Sequence, residues 1–249
     1  KQEMQNRSFR EQYPPGSIYK IVLAAAGLEE GVITANSTFY CPGNFRPPGS
    51  DRAWHCWQRR GHGSVDILEA LAYSCDVYFY NVGLKLGPEK MAEWSHKMGF
   101  GEKTGIDLPA EVEGLIPDPA WKANYNRNKP VWEQRWRDGD TLNTSIGQGS
   151  VGSTPLQGAV MMACVVNGGR KVRPYLNEGL GPQLSETFMS DKTIELIQRG
   201  LQMCVEKKTY PSGTGTLALL EGYTIIGKTG TAQKVSLKAR EGYPKDNIP

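Results

Sequence analysis

Apolar positions along this chain collect in a few helix-length runs, separated by polar stretches rich in glycine and proline. The first run, residues 18–28, follows the turn-forming Tyr13-Pro14-Pro15-Gly16 and stops at Gly31. It predicts a short buried helix with Ser17 at its N-terminus. Residues 65–74 predict a second helix, with Ser64 as its N-cap and Asp66 in the first turn, where the helix dipole favours a carboxylate. Residues 77–86 and 88–97 predict two more, the latter closed by Gly99. Thr154-Pro155 reads as a helix start, a capping hydroxyl followed by proline at the first helical position, and the apolar run to Val166 extends it as far as Gly168-Gly169. Residues 190–205 predict an amphipathic helix opened by Ser190-Asp191. Strand signal is scarce. Within 222–231, Tyr223-Thr224-Ile225-Ile226 is β-branched and aromatic and predicts one strand.

Two segments resist this reading. Residues 38–63 are rich in Pro, Gly, Trp and Cys with little periodicity, and residues 100–140 are loop-rich, with Pro109, Pro117, Pro119 and Pro130. There is no internal repeat. At 249 residues the chain can bury a sizeable core, as one large domain or two small ones. A net charge of +3, with no basic face or base-reading motif beside it, excludes nucleic acid as the natural partner. Arg59-Arg60 and the pair Arg135 and Arg137 read as solvated surface. The best apolar run, residues 156–166, is about half the length a membrane-spanning helix needs. The first ten residues are polar and do not read as a signal peptide. The abrupt start in charged sequence and the abrupt end at Asn247-Ile248-Pro249 read as those of a piece of a longer protein, with any anchor or export signal elsewhere.

Three short motifs stand in one order: Ser17-Ile18-Tyr19-Lys20, Ser74-Cys75-Asp76 and Lys228-Thr229-Gly230. Each alone is weak. Ser64-Val65-Asp66 is a second Ser-x-Asp, read here as a helix cap; an isolated Lys20 would read as a snorkelling surface lysine. Their weight lies in the combination. A serine hydroxyl is a poor nucleophile and needs a nearby base. On a helix, position i+3 lies beside position i, so Lys20 is brought next to Ser17. Ile18, Tyr19, Ile21, Val22 and Leu23 can desolvate Lys20, which favours its neutral, basic form. Ser74, with Asp76 beside it, is suited to relay a proton between Lys20 and a leaving amine. Lys228 and Thr229 offer a cation and a hydroxyl to a carboxylate. Gly230 allows close approach, and the N–H groups of Thr231 and Ser17 suit an oxyanion hole.

This set of motifs is the one found in penicillin-binding proteins and class A β-lactamases. Tyr13-Pro14-Pro15-Gly16-Ser17, Gly105-Ile106-Asp107-Leu108-Pro109, Gly139-Asp140-Thr141-Leu142-Asn143, Gly147-Gln148-Gly149, Thr154-Pro155-Leu156-Gln157 and Gly227-Lys228-Thr229-Gly230-Thr231-Ala232-Gln233 extend the match from about residue 12 to about residue 233. Over that length the chain resembles class B penicillin-binding proteins, and within them the elongation-type penicillin-binding protein 2 group. Asp76 stands where most of the wider superfamily has Asn, a change that the elongation subgroup tolerates.

The resemblance implies an α+β, helix-rich transpeptidase fold built on a five-stranded antiparallel sheet. Strands are expected before the Ser17 helix and after Lys228, and the chain has room for neither set. Residues 1–249 therefore read as one transpeptidase domain truncated at both ends, with the sheet only partly represented. The implied activity is that of a serine-type D,D-transpeptidase. Ser17 attacks the penultimate D-Ala carbonyl of a peptidoglycan stem peptide ending in D-Ala-D-Ala, terminal D-Ala leaves, and an amine of a neighbouring stem takes the acyl group. β-Lactam antibiotics mimic D-Ala-D-Ala and leave Ser17 acylated. The implied catalytic set is Ser17, Lys20, Ser74, Asp76 and Lys228, with Thr229, Gly230 and Thr231 binding substrate and no cofactor needed for acyl transfer. The implied setting is the periplasmic face of the bacterial inner membrane, with a rod-shape glycosyltransferase and elongation-complex proteins as partners.

Two other readings of the motifs stand beside this one. A serine β-lactamase must activate water; class A enzymes use a Glu, and Gly139 occupies the place before Asp140-Thr141-Leu142-Asn143 where it would fall. A non-catalytic β-lactam sensor is the other reading, against which the intact motifs argue. Residues 147–152 match Gly-x-Gly-x-x-Gly, but no clear strand precedes them and Arg173 stands where an acidic residue would be wanted, so no dinucleotide site is expected.

Cys41, Cys56, His62 and Cys75 form a Cys3His set of the kind that holds structural zinc, in a segment with no other obvious means of support. His55 is an alternative nitrogen ligand. A Cys41–Cys56 disulfide and unlinked thiols are the competing readings. The resemblance adds that some elongation-type relatives carry a metal site in this region. Bound zinc would tie Cys75, and through it Ser74 and Asp76, to the metal. Cys164 and Cys204 fall in apolar helices and read as core residues.

Overall fold

The computed structural model describes residues 6–231. After the single-turn helix α1 (Arg7–Arg10), the chain makes a 3-10 turn over Gly16–Tyr19 and runs directly into α2 (Lys20–Glu29). Every α2 residue from Lys20 to Gly27 is buried. A helix apolar on all sides must lie inside a domain, and this one forms its centre.

Residues 38–63 fold as two antiparallel hairpins rather than as an irregular loop. The strands are β1 (Phe39–Cys41), β2 (Asn44–Phe45), β3 (Trp54–His55) and β4 (Gly63–Val65); β1 pairs with β4, and β2 with β3. Two or three residues are too few for an alternating pattern to register. Ser64 lies in β4 opposite Tyr40 and is not the helix cap. The cap is Asp66, which accepts the Glu69 N–H while the Glu69 carboxylate returns to the Asp66 N–H. The helix itself is α3 (Ile67–Ala72), shorter than expected because the chain turns out of it at Ser74, where φ is 55°.

The two expected helices between residues 77 and 97 are the halves of α4 (Asp76–Lys97), which breaks at Gly87 (φ 77°, ψ 162°) ahead of Pro88. The proline-rich stretch holds three short helices, α5 (Pro119–Tyr125), α6 (Val131–Gln134) and α7 (Asp138–Ser145). α8 (Pro155–Val166) begins where expected, with Thr154 and Gln157 in a reciprocal cap. A third hairpin pairs β5 (Val172–Arg173) with β6 (Gln183–Leu184), and α9 (Asp191–Glu206) starts at its Ser190 cap.

α2 packs between α4 and α9, α3 lies along α9, and α7 lies along α4. Leu23, Leu71, Phe79, Ile197 and Leu201 are fully buried in this common core. Truncating any of these side chains to alanine costs about 2–5 kcal/mol. The packing fixes the C-terminus of α3, the N-terminus of α2 and the N-terminus of α4 relative to one another.

The strand expected within 222–231 is not formed. Gly227 N–H donates to Leu201 O at 3.2 Å, but no strand among the described residues pairs with the segment. β propensity without a ladder partner does not make a strand. Among the described residues the sheets are three separate two-stranded antiparallel pairs, and no five-stranded sheet is formed among them. No helix among them is long and apolar enough to cross a membrane.

Candidate active site

The Ser17 turn is enclosed by segments distant in sequence. Gly16 has φ of +57°, and a Cβ there would lie 2.5 Å from the Thr231 carbonyl oxygen, so only glycine lets the two backbones meet. A Cβ on Gly230 would lie 3.0 Å from Ile18 Cγ2 and 3.4 Å from Pro15 O, the close approach expected of that position. Gly16 N–H donates to Gly147 O at 2.9 Å, and Gln148 Nε2 donates to Thr231 O at 3.1 Å. The Gly147-Gln148-Gly149 loop therefore links the Ser17 turn to the Lys228–Thr231 segment. Sequence reasoning assigned Gln148 no role, although its family motif was visible.

Lys20 is wholly buried. Its Nζ donates to Asp76 Oδ1 at 2.6 Å, Ser74 O at 2.9 Å and Ser74 Oγ at 3.1 Å, which uses all three ammonium protons. It also lies 5.8 Å from the Phe79 ring centroid, within reach of the ring's negative face. The first and second motifs are thus brought together as predicted. Ser17 is half-buried, and its hydroxyl has no hydrogen-bond partner among the described residues; Lys20 faces Ser74 and Asp76 instead. Ser74 holds its place with a left-handed backbone, a strained conformation of the kind that gathers at functional sites.

Lys228 is half-buried and donates to Thr229 O at 3.1 Å. Burial, then the Lys20 charge, pulls its pKa down to about 7. The Thr229 hydroxyl shares a hydrogen bond of 2.7 Å with Thr214, and Thr214 N–H donates to Ala72 O at 3.1 Å. Thr214 so moors the third motif to the end of α3. No sequence motif singled it out. Ala232 and Gln233, the end of the family match, lie outside the described residues.

Cys41, Cys56, His62 and Cys75 also come together, each with a ligand atom within 4.8 Å of the others. All five cysteines are free, so the Cys41–Cys56 disulfide is not formed. His62 rather than His55 joins the cluster, with Nδ1 at 3.6 Å from both Cys41 Sγ and Cys56 Sγ. The β hairpins deliver the first three residues and the N-cap of α4 delivers Cys75. Hydrogen bonds with Cys56 and Cys75 hold the Cys41 thiol far below its usual range, while those with Cys41 and Cys56 push Cys75 up. Beside the cluster, Trp57 N–H donates to Asp76 Oδ2 at 2.8 Å and Trp57 Nε1 to Tyr73 O at 2.9 Å. The hairpins thereby touch the second motif directly.

A buried lysine bridging a serine and a carboxylate, beside a second serine at a helix start, is suited to acyl transfer. Comparison with known proteins agrees. The family model described as the penicillin-binding protein transpeptidase domain matches residues 1–248. A peptidoglycan D,D-transpeptidase MrdA of Acinetobacter baumannii is 36% identical over 250 residues, covering 97% of this chain but only 36% of that protein. The penicillin-binding protein PBP2 of Helicobacter pylori superposes with a TM-score of 0.82 at 33% identity, covering 93% of this chain and 42% of that one. The same protein solved in complex with MreC gives 0.80 at 34% identity, covering 92% and 42%. The chain thus spans well under half the length of these relatives. Three motifs folded to one place, and a family match along almost the entire sequence, make this chain a member of the penicillin-binding protein transpeptidase domain family.

Proposed function

We propose that the chain is the catalytic portion of a serine-type peptidoglycan D,D-transpeptidase. The observation that carries this reading is the buried Lys20–Ser74–Asp76 network adjoining the Ser17 turn, with Gly230 and Thr231 packed against that turn. Ser17 Oγ attacks the penultimate D-Ala carbonyl, and its proton passes to Lys20 acting as the general base as the C–O bond forms. The C–N bond to terminal D-Ala then breaks, and Ser74 Oγ relays the proton from Lys20 to the departing amine. An amine of a second stem attacks the resulting ester, its proton returns through the same pair, and Ser17 Oγ is restored. The backbone N–H groups of Ser17 and Thr231 stabilise the oxyanion, and Lys228 with Thr229 holds the substrate carboxylate. The family favours this reading over a β-lactamase or a sensor.

The same reading extends to Cys41, Cys56, His62 and Cys75 as the seat of a structural zinc ion. Tetrahedral zinc, with bonds of about 2.3 Å to sulfur and about 2.0 Å to nitrogen, has sulfur–nitrogen edges of about 3.6 Å. The two observed Sγ–Nδ1 separations of 3.6 Å fit it. Bound zinc would supply a cross-link between the hairpins and α4 and take no part in acyl transfer. The proposed setting is the periplasmic face of the inner membrane. The proposed partners are a rod-shape glycosyltransferase and elongation-complex proteins such as the MreC bound by the Helicobacter pylori relative.

The test is the intact mass of the full-length protein after incubation with benzylpenicillin, beside Ser17→Ala. An adduct on the wild type alone, lost slowly, supports the transpeptidase. Rapid loss would mean a β-lactamase, and no adduct on folded protein would overturn the reading.

A further inference from the structure

We infer that Thr214 is a positioning residue for substrate recognition: its hydroxyl donates to the Thr229 hydroxyl and leaves the Thr229 proton for the substrate carboxylate. This rests on the transpeptidase reading, in which Lys228 and Thr229 hold that carboxylate. The backbone around Thr214 is fixed on several sides. Gly213 N–H donates to Lys207 O and Gly215 N–H to Cys204 O, both at 2.8 Å, which pins the turn to the end of α9. A Cβ on Gly213 would lie 2.3 Å from the Cys204 carbonyl oxygen, so only glycine lets the turn sit this close. Thr214 N–H donates to Ala72 O at 3.1 Å. Thr214 is thus held independently of the third motif, and it is Thr229 that takes its orientation from Thr214.

The neighbours of the Thr214 hydroxyl assign its proton. They are Thr229 Oγ1 at 2.7 Å, Cys204 Sγ at 3.3 Å and Ala72 O at 3.4 Å. A threonine hydroxyl has one proton and two lone pairs. The contact to Thr229 has the usual length of an O–H···O bond, whereas that to Ala72 O is long, and Ala72 O already accepts the Thr214 N–H. The proton therefore goes to Thr229, and the buried Cys204 thiol, a weak donor, faces a lone pair of Thr214. The exposed Thr229 hydroxyl has no other hydrogen-bond partner among the described residues. Lys228 Nζ donates to the Thr229 carbonyl and does not orient the hydroxyl. With one lone pair engaged by Thr214, Thr229 keeps its proton for an incoming group. A carboxylate is an acceptor only, so it can use the hydroxyl in this orientation and would meet lone pairs in the reverse one. Donors aligned in series, from Cys204 through Thr214 to Thr229, also strengthen one another.

The test is Thr214→Val in the full-length protein, which removes the hydroxyl but keeps the side-chain shape and the backbone bonds of residues 213–215. Acylation is followed against concentration with benzylpenicillin and with its methyl ester, which has no carboxylate. For benzylpenicillin the apparent dissociation constant should rise roughly fivefold, with the rate at saturation held within about twofold. The ester should react alike with wild type and variant, and Thr214→Ser should restore the wild-type preference for the acid. Equal losses with acid and ester would make Thr214 a fold residue only. An unchanged preference in Thr214→Val, or a serine variant as poor as valine, would also overturn the assignment. Binding without chemistry is read by NMR titration of benzylpenicillin onto Ser17→Ala and onto Ser17→Ala combined with Thr214→Val. Roughly fivefold weaker binding by the double variant supports the assignment, and equal binding overturns it. A wild type that never acquires a penicillin adduct speaks against the transpeptidase reading, and the titration still decides the role of Thr214.

Discussion

Lys20 Nζ and Asp76 Oδ1 stand 2.6 Å apart, and the other carboxylate oxygen of Asp76 accepts the N–H of Trp57 at 2.8 Å. A buried ion pair adds little net stability against an apolar substitute, but removing one partner strands a charge in the interior. Asp76→Ala is expected to lower unfolding free energy by about 3–5 kcal/mol. Asp76→Asn keeps an acceptor for only one of the two donors, Lys20 or the Trp57 N–H, and should lose less than alanine, while slowing acylation. Chemical denaturation measures both. An alanine variant as stable as the wild type would mean that Lys20 does not depend on Asp76.

Lys228 sets a pH dependence. With its pKa at about 7, it is an ammonium below neutrality and an amine above it. Acylation by benzylpenicillin, whose carboxylate needs the ammonium, should fall as pH rises through that value. Lys228→Arg, permanently charged, should flatten the profile. Stability runs the other way. The folded pKa lies under the unfolded value of about 10.4, so this group's contribution is greatest above about pH 10.4 and is lost as pH falls through the folded value. Rates that are the same at pH 6 and pH 9 would exclude Lys228 from carboxylate binding.

Gln148→Ala removes the one side-chain bond to the Thr231 carbonyl among the described residues. A neutral hydrogen bond is worth about 1 kcal/mol, so acylation should slow by roughly fivefold with little change in unfolding. Stopped-flow acylation reads the first and a denaturant melt the second. A large loss of stability with an unchanged rate would make Gln148 a fold residue only.

The metal proposal predicts about one zinc per chain in protein purified without chelator, and its loss in Cys56→Ser. Chelation should also slow Ser17 acylation, because Cys75 adjoins Ser74 and Trp57 holds Asp76. Elemental analysis beside a thiol assay decides it. Five reactive thiols in metal-loaded protein would rule the site out.

The parts of the fold that were legible share a local cause. The α2 run is apolar enough to demand burial, the Thr154 and Ser190 caps announce their helices, and Gly87-Pro88 marks the break in α4. What stayed hidden is set by pairing at a distance. Ser64 and Asp66 are both competent caps, and only the ladder with Tyr40 assigns Ser64 to a strand. The run from Tyr223 to Ile226 has strand chemistry but no partner among the described residues. The site followed the same rule. Motif spacing named Ser17, Lys20, Ser74 and Lys228, whereas Thr214 and Gln148 matter only for what they touch across the fold.

The meeting of Gly16, Gly147 and Thr231 has a kinetic consequence. These three backbones come from opposite ends and the middle of the chain, and none can enclose Ser17 without the other two. Contacts of such sequence separation carry the largest loop-closure cost and form late in folding. The helices of the interior can therefore be in place while the nucleophile is still unformed. Appearance of penicillin reactivity during refolding should lag behind the recovery of helix signal, and its rate would then time the last step of folding.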